Sequence, residues 1–181
     1  MRLLRTLVFT LFALPCALAA PQNSQSPPAA VLPPVTAYAL NRAKVTLPAD
    51  FAAPLNLLIL FFQRDQQSVV DGWLPVLTPP GIPPTVQTWI LPISPRSNGL
   101  YKWWLNASLR GSLSPSQQRR YTVPLYVDKA KFLRSLQVSS EQEVVLLLTD
   151  KAGHVVWRTA GPVTDTKKVA LSGFVMKSAS H

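Results

Sequence analysis

The sequence holds very little of the sulfur chemistry on which redox and thiol enzymes depend. Cys16 is the only cysteine among 181 residues, so the chain alone cannot form an intramolecular disulfide or present a pair of redox cysteines. Cys16 also lies in a segment with the features of a signal peptide. We therefore expect the mature chain to have no thiol nucleophile.

Histidine is almost as scarce as cysteine. The two histidines are His154, which we predict in a hairpin turn as a solvated side chain, and the last residue, His181. Neither is placed to build a catalytic triad. Glu141 and Glu143 share one face of an extended segment, but they lack the third ligand that a metal site needs. No glycine-rich phosphate loop occurs among the seven glycines. The sequence thus predicts no metal and no cofactor.

The amino-terminal residues have the pattern of an export signal. Two arginines lie within the first five residues, a short apolar stretch follows over residues 6–14, and Ala17-Leu18-Ala19 supplies small residues for cleavage. This pattern predicts a signal peptide over residues 1–19 and a periplasmic or extracellular protein. An uncleaved anchor is the alternative, although the apolar stretch is far shorter than the roughly 20 residues of a membrane span. The proline-rich, uncharged residues 20–35 predict a disordered tether, and residues 36–178 a folded domain.

Acidic residues are missing from a long part of the chain, whose formal net charge is +10. No aspartate or glutamate occurs between Asp71 and Asp128, whereas this interval contains Arg96, Lys102, Arg110, Arg119 and Arg120. Such a surface can face an anionic membrane, nucleic acid or an acidic protein, or can simply be a soluble basic face. Because an exported protein rarely meets nucleic acid, we expect no nucleic-acid partner.

The hydrophobic pattern predicts strands that alternate with helices. A hairpin is expected over residues 38–47, and strands over 55–62, 86–93, 121–127, 144–148 and 154–159. Helices are expected over 68–77, 97–109 and 129–136, and Thr164 is expected to cap a final helix that turns Val169, Ala170, Phe174 and Val175 inwards. This order predicts a parallel sheet with an antiparallel hairpin added at its edge.

Three stretches of the chain carry a resemblance to a known fold. They are residues 45–51 with 57–62, residues 123–128 with 132–138, and residues 145–161, where an Asp150-Lys-Ala-Gly153 turn joins two apolar strands and Gly161 follows. Together they resemble the thioredoxin-like fold in its periplasmic TlpA and peroxiredoxin-type version. The resemblance implies an α/β protein with three α/β/α layers, a central mixed β-sheet, an N-terminal β-hairpin and a C-terminal helix.

The sequence departs from this family where the family performs its redox chemistry. The family's C-x-x-C falls on the elbow after the first strand, which here is Gln63 to Ser68 and contains no cysteine. The family also has a cis-proline just before the strand that we place at Val144. In this sequence Glu143 or a neighbour occupies that position, and a trans peptide bond is expected there. We therefore predict that the chain is not a disulfide oxidoreductase. Residues 121–161 are also similar to the mitochondrial ATP-synthase assembly chaperone family, which implies binding of a partner subunit.

These departures leave binding as the favoured hypothesis for the elbow. A groove between residues 63–68 and residues 139–144 is predicted to bind an unknown protein partner in the cell envelope, through Arg64, Asp65, Gln66, Trp73 and Glu143. The simpler interpretation is that Asp65 or Ser68 caps the following helix and Arg64 is merely exposed. A cysteine-independent enzyme that acts through Asp65 or Glu143 is the competing hypothesis.

The segment Leu100-Tyr-Lys-Trp-Trp-Leu105 has apolar residues around more than half of a helical wheel. A surface helix usually has a narrower apolar stripe. Either both indoles pack into a groove against the sheet, or the region contacts a membrane or partner. The residues of that membrane or partner surface are Lys102, Trp103, Trp104, Arg110, Arg119 and Arg120. A peripheral membrane protein is therefore the second alternative.

Overall fold

The computed structural model describes residues 30–77, 81–94 and 119–178. The strands are β1 (Val35–Tyr38), β2 (Lys44–Leu47), β3 (Leu55–Phe61), β4 (Val86–Ser94), β5 (Leu125–Tyr126), β6 (Val145–Asp150) and β7 (Val155–Ala160). The helices are α1 (Gln67–Trp73), α2 (Lys129–Ser135) and α3 (Asp165–Ser178). The helix predicted over residues 97–109 lies outside the described residues. Within the described ranges, no helix is long and apolar enough to cross a membrane.

Five strands form one mixed sheet in the order β5-β4-β3-β6-β7. The neighbours β3 and β4 are parallel, as are β4 and β5. The strand β6 runs antiparallel to β3, and β7 runs antiparallel to β6. The separate strands β1 and β2 form an antiparallel hairpin. The predicted parallel sheet with an antiparallel hairpin at one edge is therefore confirmed.

The central strand β3 separates two apolar cores. Leu58 and Leu60 point into a core that includes residues of the β1–β2 hairpin and α2. Leu57, Ile59 and Phe61 point into the other core, which contains residues of α1 and α3. Side chains alternate between the two faces of a strand, so a strand covered on both faces reads as an unbroken apolar run. This arrangement confirms the predicted α/β/α layers.

One buried amide links β3 to its neighbours in the sheet. Asn56 is fully buried, and its Oδ1 accepts a hydrogen bond of 3.1 Å from the indole Nε1 of Trp89. Its Nδ2 donates to the carbonyl of Ala53 at 3.0 Å, and its backbone carbonyl accepts a bond from the Thr149 hydroxyl at 3.2 Å. Because a buried polar group costs free energy unless it is paired, this network satisfies Asn56 and holds the Trp89 ring in place.

The amino-terminal limit of the folded domain differs from the sequence prediction. The sequence predicts a disordered tether over residues 20–35, but Ala30 and Leu32 are buried and β1 begins at Val35. Val31 forms a bridge with His154, and the backbone N–H of Val155 donates to the carbonyl of Ala30 at 2.8 Å. The apolar side chains of this segment find a place against the core, which proline content alone did not indicate.

The strand predicted over residues 121–127 is much shorter in the structure, where it is β5. Only Leu125–Tyr126 pair regularly with β4, at Ile93 and Ser94. Before them, the N–H of Val123 donates to the carbonyl of Ile90 at 2.9 Å. Pro124 has no N–H to donate, so the ladder is interrupted there. The strand lies at the edge of the sheet, where proline is tolerated.

The inward face of α3 also differs from the prediction. Thr164 caps this helix as expected, since its Oγ1 accepts a bond from the Lys167 N–H at 3.3 Å. Leu171 and Val175 are buried, whereas Val169 is 70% exposed and Ala170 is also exposed. The prediction is therefore wrong for Val169 and Ala170, and it is confirmed for Val175 and for Phe174, which packs against the core that contains α1 and α3.

The turn between β6 and β7 is organised by one carboxylate. Oδ1 of Asp150 accepts bonds from the backbone N–H groups of Ala152 and His154 at 2.9 and 2.8 Å. Its Oδ2 lies 2.9 Å from Nδ1 of His154. Gly153 has a φ of 91° in this turn, and an added Cβ would lie 3.0 Å from Pro48 Cγ. Glycine is therefore required at this position.

We predict that this turn weakens in acid. Partial burial raises the pKa of Asp150, but hydrogen bonds from His154 and Ala152 lower it to a net value below the ordinary 3.8. A carboxyl with a lowered pKa stabilises the fold above its unfolded pKa, and this contribution is lost as the pH falls through the folded pKa. Urea unfolding of the wild type and Asp150→Asn should differ by less than about 1 kcal/mol at pH 7. The difference should shrink below about pH 4, and a constant difference would contradict this assignment.

Candidate functional site

The elbow after β3 and the loop before β6 lie next to each other. In the antiparallel pair, Leu60 near the end of β3 is opposite Val145 at the start of β6. Residues 62–66, which follow β3, are therefore beside residues 139–144, which precede β6. The sequence analysis predicted this neighbourhood, and the two segments are hydrogen-bonded to each other in the structure.

The side-chain amide of Gln66 joins the two segments. Its Oε1 accepts hydrogen bonds from the backbone N–H groups of Phe62 at 2.8 Å and Gln63 at 3.3 Å. Its Nε2 donates to the backbone carbonyl of Glu141 at 2.7 Å. The side chain of Gln63 adds a longer bond of 3.4 Å to the same carbonyl. We call this set of contacts the glutamine bridge. It satisfies the N–H groups that the end of β3 leaves without a strand partner.

A second contact ties α2 to the same loop. Lys129, at the start of α2, forms an ion pair with the carboxylate of Glu141. Its Nζ also lies 5.7 Å from the centre of the Phe62 ring, within the range of a cation–π contact. The side chains of Lys129 and Glu141 are 21% and 38% exposed, so solvent screens the pair only in part. The loop is thus held from both sides, by Gln66 and by Lys129.

Trp73 connects α1 to the far end of β7. Its Nε1 donates to the carbonyl of Gly161 at 3.1 Å, and the N–H of Gly161 donates to the carbonyl of Val144 at 2.8 Å. Gly161 has a φ of 77°, and an added Cβ would lie 2.9 Å from Oε1 of Glu143. Glycine therefore permits both the backbone conformation and the close approach of the Glu143 carboxylate.

The structure separates the predicted partner-binding residues into two groups. Arg64, Asp65 and Glu143 are exposed, whereas Gln66 is 5% exposed and Trp73 is fully buried. The prediction of Gln66 and Trp73 as surface contacts is therefore wrong for this structure. The polar atoms of both side chains form hydrogen bonds within the protein. These two residues therefore position the exposed residues and do not contact a partner themselves.

The alternative prediction for the elbow concerned the cap of α1. The N-cap residue is Gln66, and no side-chain hydrogen bond caps the helix. The hydroxyl of Ser68 donates to the carbonyl of Asp65 at 3.3 Å, so neither Asp65 nor Ser68 acts as the expected cap. Backbone N–H groups of Gln67 and Val69 bond to the carbonyls of Arg64 and Gln66. Tight turns therefore replace a side-chain cap.

The peptide bonds before β6 are trans, as predicted. Among the described residues, the one cis peptide bond is Leu47–Pro48, in the segment after β2. The resemblance implies a cis-proline within residues 142–144. These residues are Gln142, Glu143 and Val144, and their peptide bonds are trans.

The predicted membrane or partner surface is only partly described. Lys102, Trp103, Trp104 and Arg110 lie outside the described residues. Arg119 and Arg120 are exposed, and the guanidinium of Arg120 lies 5.4 Å from the centre of the Tyr121 ring. Contact of this region with a membrane stays a prediction from the sequence.

Glu141 and Glu143, which the sequence places on one face of an extended segment without a third metal ligand, have different neighbours in the structure. Glu141 pairs with Lys129, and Glu143 lies against Gly161. Within the described ranges, no cluster of three histidine, cysteine, aspartate or glutamate side chains could hold a metal ion.

Lys129 was not predicted as part of this region, and Gln63 and Glu141, although within the predicted groove segments, were not named as contacts. Glu141 accepts the Gln66 bond through its backbone carbonyl, so its side chain carries no signal for that contact. One signal was available in the sequence: three glutamines, Gln63, Gln66 and Gln67, lie within five residues directly after a buried strand. Side-chain amides both donate and accept, which suits them to joining two backbone segments.

Comparisons with known proteins identify the fold. Neither the family models nor the curated proteins give a match to this chain. Among solved structures, the chain is similar to BsSco, a member of the Sco family of cytochrome c oxidase assembly proteins with a disulfide switch. The TM-score is 0.58 at 12% identity, over 85% of this chain and 96% of that one.

Two further structures agree with this likeness. A thiol-disulfide oxidoreductase from Bacteroides fragilis matches with a TM-score of 0.53 at 12% identity, over 81% of this chain and 98% of that one. The exposed lipoprotein thioredoxin of Streptococcus pneumoniae matches with a TM-score of 0.50 at 14% identity, over 80% and 99%. At such identities the likeness concerns the fold alone. The chain has a thioredoxin-like fold, as the resemblance implied.

We predict that the glutamine bridge stabilises the fold. Gln66→Ala leaves the N–H groups of Phe62 and Gln63 without their side-chain partner and leaves the Glu141 carbonyl with the longer Gln63 bond alone. It should lower the free energy of unfolding by about 1–3 kcal/mol. Gln67→Ala is the matched control, because Gln67 makes one exposed bond of 2.8 Å, to Asp71. It should cost less than about 0.5 kcal/mol. Urea unfolding measures both variants, and equal losses would contradict a special role for Gln66.

Proposed function

We propose that the chain is an exported, redox-inactive thioredoxin-like protein that binds a protein partner in the cell envelope and assists its assembly. The observation that carries this proposal is the glutamine bridge. It fills with hydrogen bonds the elbow where the resemblance places a redox C-x-x-C. Gln66 is 5% exposed, and its amide does not ionise at neutral pH. This elbow therefore offers shape and surface charge rather than reactive groups.

The exposed side chains around the bridge support a binding surface. Arg64 and Asp65 lie on the elbow side, and Gln142 and Glu143 lie on the loop side. The glutamine bridge, the Lys129–Glu141 ion pair and the Trp73–Gly161 bond hold both segments in position. Surface groups on a held backbone bind a partner with less loss of conformational entropy than groups on a mobile loop.

The structural neighbours support the two parts of the proposal in different ways. The Sco family is described as a family of cytochrome c oxidase assembly proteins, which favours an assembly role for a related fold. The pneumococcal neighbour is described as an exposed lipoprotein, which favours an exported location. The chain has a single cysteine, Cys16, so it does not offer the two thiols that disulfide exchange within one chain requires.

We predict that the purified full chain does not reduce insulin in the presence of dithiothreitol above the rate without protein. A thioredoxin with a C-x-x-C motif serves as the positive control. Cys16→Ser separates a thiol reaction of Cys16 from any reaction elsewhere in the chain. Turnover by the wild type that persists in Cys16→Ser would contradict redox inactivity.

We predict that Arg64 contributes to partner capture. The tagged full chain is used to capture proteins from envelope extract of the source cells, in parallel with Arg64→Glu and Lys151→Glu. Lys151 is exposed in the turn at the opposite end of β6, so Lys151→Glu is matched in charge but distant from the elbow. Proteins that bind the wild type and Lys151→Glu should be at least tenfold reduced with Arg64→Glu, because charge reversal at a contact costs several kcal/mol.

If Arg64→Glu captures the same proteins in the same amounts as the wild type, the elbow is not the contact surface. The three proteins are first compared by urea unfolding, so that a difference in capture is not a difference in folding.

A further inference from the structure

A cavity with a volume of about 380 Å³ lies between the β1–β2 hairpin and the start of β4. Its wall includes Lys44, Asp50, Gln87, Trp89, Arg120 and Tyr121. Gln87 and Trp89 are opposite Asn56 and Leu58 in the parallel pair of β3 and β4. The cavity is thus near the amino ends of these strands, whereas the elbow follows their carboxyl ends. Its volume falls within the range of about 300–1,000 Å³ that is usual for ligand sites.

Two cations at this cavity have no carboxylate partner among the residues that the structure describes. The side chains of Lys44 and Arg120 are exposed, and neither takes part in an ion pair within the described part of the chain. Arg120 lies against the Tyr121 ring, at 5.4 Å from its centre, and this contact limits the positions of its guanidinium. Two cations on one concave wall favour an anionic group, and arginine in particular matches the geometry of a carboxylate.

The carboxylate of Asp50 sets a second requirement. Its Oδ2 accepts the backbone N–H of Thr46 at 2.6 Å, so the side chain is held against β2. No bond to its Oδ1 occurs among the described residues. A ligand that carried only a negative charge would be repelled by Asp50. A ligand with an N–H next to its carboxylate would satisfy both the cations and this oxygen.

An aromatic wall completes the cavity. The Trp89 indole donates to Asn56 Oδ1 at 3.1 Å. It meets the Tyr121 ring edge to face, with the ring centres 5.2 Å apart at 88°, and it lies 5.7 Å from the centre of the Phe51 ring. Trp89 is 4% exposed, so Tyr121, which is half-buried, supplies most of the aromatic surface. Such a wall is in place before binding and favours an apolar group beside the anion.

We propose that this cavity binds a carboxylate with an adjoining amide N–H and an apolar side chain, the chemistry of an acylated amino acid or of a peptide carboxyl terminus. The carboxylate pairs with Lys44 and Arg120, the N–H donates to Asp50, and the apolar group packs on Tyr121. This site is separate from the elbow, and it stands whether or not the elbow binds a partner.

Titration of the full chain with N-acetyl-phenylalanine, followed by amide and indole NMR signals, tests the proposal. Binding with a dissociation constant in the millimolar range or tighter is expected, and it should weaken as salt is raised. N-acetyl-phenylalanine amide lacks the carboxylate, and 3-phenylpropionate lacks the N–H. Both should bind at least threefold more weakly. A hexapeptide that ends in phenylalanine distinguishes the sources: tighter binding than the single residue identifies a peptide terminus, and equal binding identifies the small acid.

Substitutions locate the binding site. Lys44→Gln and Arg120→Gln should each weaken N-acetyl-phenylalanine binding by about three- to tenfold. Arg42→Gln is the matched control, since Arg42 is an exposed cation in the adjacent turn that does not line the cavity. No saturable binding, equal binding of the acid and its amide, or equal losses in Arg42→Gln and Lys44→Gln would each overturn the proposal. Equal affinities of N-acetyl-phenylalanine and 3-phenylpropionate would overturn the part assigned to Asp50.

Discussion

The hydrogen bonds of one buried side-chain amide determine the geometry of the elbow. Gln66 accepts from two N–H groups just beyond β3 and donates to a carbonyl just before β6. The end of a buried strand leaves polar backbone groups that need partners, and one glutamine serves both segments at once. The exposed positions of Arg64, Asp65 and Glu143 follow from this arrangement, because the bridge occupies the interior and leaves the rim to solvent.

The bridge also explains how a thioredoxin-like fold can keep its elbow without sulfur. The family resemblance places reactive sulfur on this elbow. The amide of Gln66 is chemically inert, and it pairs with the N–H groups of Phe62 and Gln63. The Trp73 bond to Gly161 and the Lys129 pair with Glu141 add contacts from α1 and α2. Stability and proposed partner binding therefore reside in different residues of the same two segments, with the buried Gln66 for the first and the exposed Arg64, Asp65 and Glu143 for the second.

Much of the fold could be predicted from the sequence, because its signals are local. The apolar run over residues 57–61 of β3, the turn residues Asp150 and Gly153, and the alternation of strands with helices each reflect a physical requirement at one place. The errors arose where a distant part of the chain decides. Ala30 and Leu32 are buried because His154 and Val155 offer them a strand edge. Trp73 is buried in the core that contains α1 and α3, and its indole bonds to Gly161, 88 positions away in the sequence. Gln66 could be named but not placed, since its partner is a carbonyl 75 positions away in the sequence.

The contact of Ala30 and Val31 with β7 has a consequence for behaviour in solution. The strand β7 ends the sheet, and an uncovered outer strand attracts other chains into continuous sheets. Here the leading segment itself takes up the N–H of Val155 and bridges His154. This segment thereby covers part of the β7 edge and protects it from pairing with strands of other molecules. A truncated chain that begins after Leu32 would leave that edge open to such pairing.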